Sequence, residues 1–156
     1  YPGTFDPITY GHIDIISRAA HIFESVIVGI IKSPLKSNFL FSTEERLEMA
    51  ERAVKDFKNV RVQSFDGLLI DYANSTGVNL VIRGLRAITD FEYEFQMALT
   101  NKKLANNIET IFMMTNEKYS YLSSSVVKEV SKFKGDVSDF VPDYIAEKLK
   151  QKFALI

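Results

Sequence analysis

The stretch Gly3-Thr4-Phe5-Asp6-Pro7-Ile8-Thr9-Tyr10-Gly11-His12 decides the fold. It is a loop sequence that runs directly into helical spacing at Ile13, Ile16, Ala20 and Phe23. In an open parallel sheet, ligands sit outside the carboxyl ends of the strands, where such loops enter helices and present free backbone N–H groups. Gly3 allows close backbone approach, Thr4 supplies a hydroxyl, and Gly11 lets the chain turn tightly. His12 falls in the first helical turn, where its ring N–H and the positive helix end can face one phosphate. The segment is therefore expected to bind an anion. A loop of this kind needs a buried strand to feed it, so the first strand is expected to continue upstream of Tyr1.

Beyond this opening, apolar runs rich in Val and Ile recur at Val26 to Ile31, Val60 to Phe65, Leu80 to Ile82 and Ile108 to Met114, each short and bounded by turn or polar residues. Runs without alternation suggest strands buried on both faces. Helical stripes lie between them, at Leu47, Ala50, Val54 and Phe57 and at Phe91, Phe95, Ala98 and Lys102. Ser42 followed by Glu45 is a capping-box pattern ahead of the Leu47 stripe, and Gly77 and Gly135 read as helix stops. A last helix is expected after Pro142, with Tyr144, Ile145, Leu149 and Phe153 on its apolar face. Strand and helix alternate, which predicts right-handed parallel crossovers. The expected fold is α/β: a Rossmann-like open parallel five-stranded sheet, helices on both faces, and a C-terminal helix. One domain over residues 1–156 is expected from the length.

Nineteen Lys and Arg against 20 Asp and Glu leave a formal charge of −1, so no global field exists to hold a nucleic acid or an anionic membrane. Any anion must be held by local geometry. The chain has no cysteine, which excludes disulfides, a thiol nucleophile and thiolate zinc sites. No apolar stretch approaches the roughly 20 residues of a membrane-spanning helix. A cytoplasmic location is the expectation.

The opening segment resembles the T/HxGH signature of the nucleotidyltransferase superfamily, with Thr4 in the first polar position and Thr9, Gly11 and His12 completing the pattern. Two further segments narrow the family: Ile82-Arg83-Gly84-Leu85-Arg86, read as following a strand, and Tyr119-Ser120-Tyr121-Leu122-Ser123-Ser124-Ser125 ahead of a helix. With Asp90-Phe91-Glu92-Tyr93-Glu94 and Val127-Lys128-Glu129-Val130, they resemble the phosphopantetheine adenylyltransferases. The likeness runs from Tyr1 nearly to the end of the chain.

The resemblance implies reversible transfer of AMP from ATP to 4'-phosphopantetheine, giving dephospho-coenzyme A and pyrophosphate, late in coenzyme A biosynthesis. It implies ATP contacts at Thr4, Phe5, His12, Gly84, Leu85, Arg86 and Glu94, and at Tyr119, Ser120, Tyr121, Leu122, Ser123, Ser124 and Ser125. It places Thr4, Lys36, Leu69 and Arg83 on the phosphopantetheine side. Catalysis falls to His12, Thr4 and Lys36, with magnesium carried by ATP and no metal ligand in the chain. A homohexamer and feedback by coenzyme A are likewise implied.

The residues also admit plainer roles. The serines can be N-caps, Leu69 can be core, Lys36 can be a solvated loop lysine, and Arg83 or Arg86 can pair with Asp90 or Glu94. His21, in mid-helix, reads as a surface residue. Two other functions compete: a superfamily relative acting on nicotinate mononucleotide or glycerol phosphate, and a non-catalytic nucleotide sensor of similar build. The triple serine and the Arg-Gly-Leu-Arg run argue against the first. A sensor would have no use for His12 or an acceptor-side Lys36.

Overall fold

The structure is a computed structural model that describes residues 1–32 and 39–154. Five strands alternate with helices along the chain. In order these are β1 (Pro2–Gly3), α1 (Tyr10–Ile22), β2 (Val26–Ile31), α2 (Thr43–Val54), β3 (Val60–Phe65), α3 (Leu69–Ser75), β4 (Leu80–Leu85), α4 (Ile88–Leu104), β5 (Glu109–Met114), α5 (Ser124–Lys132) and α6 (Asp143–Ala154). Every strand pair is parallel, as crossover helices require.

The strands form two ladders and not one five-stranded sheet: β1, β2 and β3 pair in that order, and β4 pairs with β5. Where β1 meets β4, proline has no N–H to give, and the Pro2 carbonyl is taken at 2.7 Å by the Arg83 guanidinium of β4. β4 still lies beside β1, with the Tyr1 hydroxyl packed over Gly84. The strands are adjacent, and a side chain replaces the ladder between them.

Side-chain alternation places helices on both faces. Val28 and Ile30 of β2 point into the main core with Ile16 of α1, Met49 and Ala50 of α2, Val127 of α5 and Ile145 and Leu149 of α6. Ile27 and Gly29, one residue out of phase, line a small cavity with Tyr72 and Ala73 of α3. On β4, Ile82 joins Ile15 and Ala19 of α1, while Val81 joins Ile70 and Ala73 of α3.

Several sequence expectations move. β4 extends to Leu85, so Arg83 and Gly84 lie inside the strand and not after it. Register explains this, because Arg83 pairs with Phe112 and Leu85 with Met114 along the whole of β5. α2 starts at the expected cap, with the Ser42 hydroxyl and the Glu45 side chain bonding reciprocally, but ends at Val54 before Phe57. Its buried face is Arg46, Met49, Ala50 and Val54. Gly77, at φ +71°, stops α3 as expected. At the end of α5 the left-handed residue is Lys134 (φ +61°), not Gly135. Gly135 serves close packing there, since a Cβ would meet Val130 Cγ1 at 2.6 Å. Gly11 is helical and not a turn, and lies in the first turn of α1 beside Tyr119 and Thr115.

Candidate active site

The loop between β1 and α1 is held from below. Asp6 is buried and accepts from the backbone N–H groups of Leu40 (3.1 Å) and Phe41 (2.9 Å) and from Lys128 of α5 (2.6 Å). Arg46, 1% exposed, donates to the carbonyls of Thr4 and Ile31, each at 2.9 Å, and to the Thr43 hydroxyl at 3.1 Å. Its face stacks on Phe39 at 4.1 Å. No carboxylate lies in salt-bridge contact with it among the described residues, and burial pushes its pKa down. Asp6, Lys128 and Arg46 were not readable as site residues from sequence. For Arg46 a signal existed, because it lies three and four residues before Met49 and Ala50 on the stripe that α2 buries.

Above this floor Thr4 is exposed and Phe5 is buried, with Phe5 at φ +48°. A non-glycine residue in the left-handed region costs on the order of 1–2 kcal/mol and persists only where its surroundings over-determine it. The Phe5 ring meets His12 edge-on at 5.1 Å and Tyr1 at 5.6 Å.

Thr9 caps α1, and His12, three residues on, occupies the position that Glu or Gln holds in a capping box. The Thr9 N–H donates to His12 Nδ1 at 3.0 Å. A backbone N–H can only donate, so Nδ1 is unprotonated and the ring proton sits on Nε2. Burial first, then the positive charges of Arg86 and Arg83, lower the His12 pKa from 6.5 to about 4. At neutral pH His12 is an uncharged imidazole with one fixed N–H donor.

Arg83 reaches back from β4 to grip the Pro2 carbonyl. Its fork also pairs with both oxygens of Glu94 on α4, each at 2.6 Å. Burial opposes its charge, but the Glu94 hydrogen bonds and carboxylate outweigh this and keep it firmly protonated. The ion-pair role open to Arg83 and Glu94 in the sequence is thus realised, with part of the Nη hydrogens left for a ligand. Arg86 pairs with Asp90 at 3.0 Å and donates to the Leu122 carbonyl at 3.2 Å. Leu85 is buried at the end of β4, and Gly84 faces Tyr1 and Ile15.

The serine segment is mostly occupied with its own backbone. Ser123 is the N-cap of α5 and accepts from Val126 N–H at 3.1 Å. Ser120 donates to the Glu117 carbonyl, and Ser124 donates to the Pro7 carbonyl at 2.7 Å. Ser125 is exposed, Leu122 is buried, Tyr119 stacks on Tyr10, and Tyr121 lies against the edge of Phe140. Around the ends of β1 and β4 the contacts gather Thr4, Phe5, His12, Arg83, Arg86, Glu94, Leu122 and Ser124. Leu69 is half-buried at the start of α3 and shares a cavity of about 30 Å³ with Pro2 and Gly29. Lys36 lies outside the described residues. His21 is exposed and bonds the Ser17 carbonyl.

This arrangement can orient a polyanion with neutral and cationic donors. Among the described residues the hydroxyl that meets the His12 ring is that of Thr9, 3.0 Å from Nδ1 and buried at the helix start, where it serves as a cap. Comparison with known proteins agrees. The family model described as cytidylyltransferase-like matches residues 1–130. Phosphopantetheine adenylyltransferase of Caldanaerobacter subterraneus subsp. tengcongensis is 56% identical over 153 residues, covering 98% of this chain and 95% of that protein. The Alkaliphilus metalliredigens enzyme of the same name is 55% identical, covering 97% and 96%. That of Dictyoglomus thermophilum is 54% identical, covering 99% and 94%. Among solved structures, nicotinic acid mononucleotide adenylyltransferase of Plasmodium falciparum complexed with NaAD aligns with a TM-score of 0.71, over 99% of this chain and 94% of that one. At 12% identity this shows the fold alone. Signature, fold and near-full-length identity agree, and the chain belongs to the cytidylyltransferase-like family and, within it, to the phosphopantetheine adenylyltransferases.

Proposed function

We propose that the chain transfers AMP from ATP to 4'-phosphopantetheine, reversibly, giving dephospho-coenzyme A and pyrophosphate in a late step of coenzyme A biosynthesis. The observation that carries the reading is His12: a neutral ring whose single N–H donor is fixed by the Thr9 backbone at a helix start. The acceptor phosphate is already ionised at neutral pH and attacks the α-phosphorus, while pyrophosphate leaves on the opposite side. No strong base is needed. Catalysis then comes from alignment of the two reactants and from donors aimed at charge growing on the α-phosphate. His12 and Thr4 supply donors there, and Lys36 and the remaining hydrogens of Arg83 serve the acceptor phosphate. Arg86, Gly84, Leu85, Glu94 and the segment Tyr119, Ser120, Tyr121, Leu122, Ser123, Ser124 and Ser125 shape the ATP side, and Leu69 lies toward the pantetheine arm.

Magnesium would arrive with ATP. On this reading the triphosphate and water fill most of its shell, and no step is routed through it. The apolar surface of α4, with Phe91, Tyr93, Phe95 and Leu99 exposed, favours self-association, and a homohexamer is the proposed state. Feedback by coenzyme A and a cytoplasmic location complete the proposal. No described helix is long and apolar enough to cross a membrane.

The test is pyrophosphate release with ATP, magnesium and one acceptor at a time. Release is expected with 4'-phosphopantetheine and not with unphosphorylated pantetheine, nicotinate mononucleotide or glycerol phosphate. A comparable rate with pantetheine would overturn the assignment, because the acceptor phosphate would then not be the nucleophile.

A further inference from the structure

Arg46 is a buried guanidinium with no carboxylate in salt-bridge contact among the described residues. Such a charge is costly unless its hydrogen bonds secure something. Besides the Thr43 hydroxyl of its own helix, its partners are carbonyls at the two strand ends that flank the site: Thr4 after β1 and Ile31 at the end of β2, with Lys32 more distant at 3.4 Å. The Thr4–Phe5 peptide is trans, since the one cis bond among the described residues is Asp6–Pro7. In a trans peptide the carbonyl and the following N–H point in opposite directions. With the Thr4 carbonyl drawn down to Arg46, the Phe5 N–H is turned away from it.

That N–H finds no acceptor among the described residues, although Phe5 is 1% exposed. A buried N–H without a partner is rare and costs roughly 1–3 kcal/mol, so this donor is one that a ligand oxygen would satisfy. Phe5 also holds its left-handed φ at a cost, and release of the Thr4 carbonyl would let the peptide rotate to relieve it. We propose that Arg46 is a positioning residue for AMP transfer: by holding the Thr4 carbonyl it keeps the Phe5 N–H turned into the nucleotide site as a donor to a phosphate oxygen. The inference rests on the adenylyl-transfer reading, and it assigns to the family's loop a support that lies on α2, outside every motif of the sequence.

The experiment compares wild type with Arg46→Met, which keeps the length and removes the donors, and Arg46→Lys, which keeps the charge and one donor direction. Pyrophosphate release and thermal unfolding are measured on each. Arg46→Met is expected to lower kcat about 10²-fold, the scale of a misplaced catalytic group, with the KM for 4'-phosphopantetheine unchanged and partial rescue by Arg46→Lys. A purely structural role would lower the melting temperature and leave turnover of the folded enzyme intact, which would overturn the proposal. Should Arg46→Met not fold, amide NMR of wild type decides: ATP should move the Phe5 amide proton downfield, and an unmoved Phe5 amide in the ATP-saturated enzyme overturns it. A wild type that releases no pyrophosphate from ATP and 4'-phosphopantetheine would sink the parent reading itself, whatever the variants do.

Discussion

The half built on β1, β2 and β3 differs from the half built on β4, β5 and α4 in what it buries. Helices α1, α2, α5 and α6 all bury apolar residues in one core, and the last of them closes it with Ile145 and Leu149, both fully buried. Helix α4 is longer, at 17 residues, yet none of the side chains described along it is buried, and Phe91, Tyr93, Phe95, Met97, Leu99 and Leu104 are all exposed. β4 and β5 share a buried cluster with α1 and β2 through Ile82, Met113, Ile15, Ala19 and Val26, but α4 leaves its apolar side chains uncovered among the described residues. The first half therefore holds the larger core of the isolated chain. The halves meet where Ile82 and Met113 pack on Ile15, Ala19 and Val26 and where Arg83, braced by Glu94, grips the Pro2 carbonyl, and that seam is where the candidate site lies.

The largest expected effect tests this directly. Leu149→Ala should lower the free energy of unfolding by about 2–5 kcal/mol in urea titrations, because a fully buried leucine leaves a cavity. An equal loss from Leu99→Ala, at a site 55% exposed, would break the comparison.

His12 lies in the first half and feels the arginines of the second, so it reports on the seam. His12→Ala should reduce kcat by roughly 10²–10³, the scale of one lost preorganised donor, with smaller changes in substrate affinity. Unchanged kcat with a greatly raised KM for ATP would show that the ring binds only ground-state nucleotide.

The same residue gives a pH effect. Its pKa is about 4 in the folded chain against 6.5 for the free group, so between these values the unfolded chain binds more protons. The folded state is therefore fully favoured above pH 6.5 and loses stability as pH falls toward 4. At about 1.4 kcal/mol per pKa unit, discounted for a ring that is only half-buried, the loss is on the order of 2 kcal/mol. His12→Gln, which can still close the capping box, should lack it; parallel stability curves for the two proteins from pH 7 to pH 4 would contradict the burial argument.

Smaller effects sharpen the view of the seam. A double-mutant cycle on Arg83→Gln and Glu94→Gln should give a coupling of about 1 kcal/mol, because the pair is bidentate but the arginine remains 30% exposed. Phe95→Ser should change the stability of the dilute chain by no more than about 0.5 kcal/mol while weakening self-association in sedimentation. If it destabilises the dilute chain strongly, α4 is covered within one copy after all.

What could be read from the sequence follows the same division. β2 and β3 were legible to the residue: β2 is an unbroken apolar run, and β3 alternates Val60, Val62 with Arg61, Gln63, two patterns that both exclude a helix over six residues. β4 was read short because Arg83 and Gly84 look like strand breakers. They are tolerated through tertiary partners, Glu94 for the charge and the close approach of Tyr1 and Ile15 for the glycine. The single sheet was expected because parallel ladders propagate, and a side-chain grip on Pro2 is not visible in any local pattern. In the site, the T/HxGH residues carried their own signature. Asp6, Arg46 and Lys128 did not, because a buried charge looks on paper like a solvated one. Ser123 and Arg83 took the plainer roles their residue types allowed, as cap and as ion pair.

The bond from the Thr9 N–H to His12 Nδ1 also decides how this ring meets a reagent. Of its two nitrogens, one is screened by a backbone hydrogen that cannot move without unwinding the helix start. Acylating and alkylating probes attack the unprotonated nitrogen of a neutral imidazole, and here that nitrogen is the screened one, so His12 should label far more slowly than the exposed His21. The ratio of the two labelling rates becomes a chemical record of whether the first turn of α1 was intact when the label arrived.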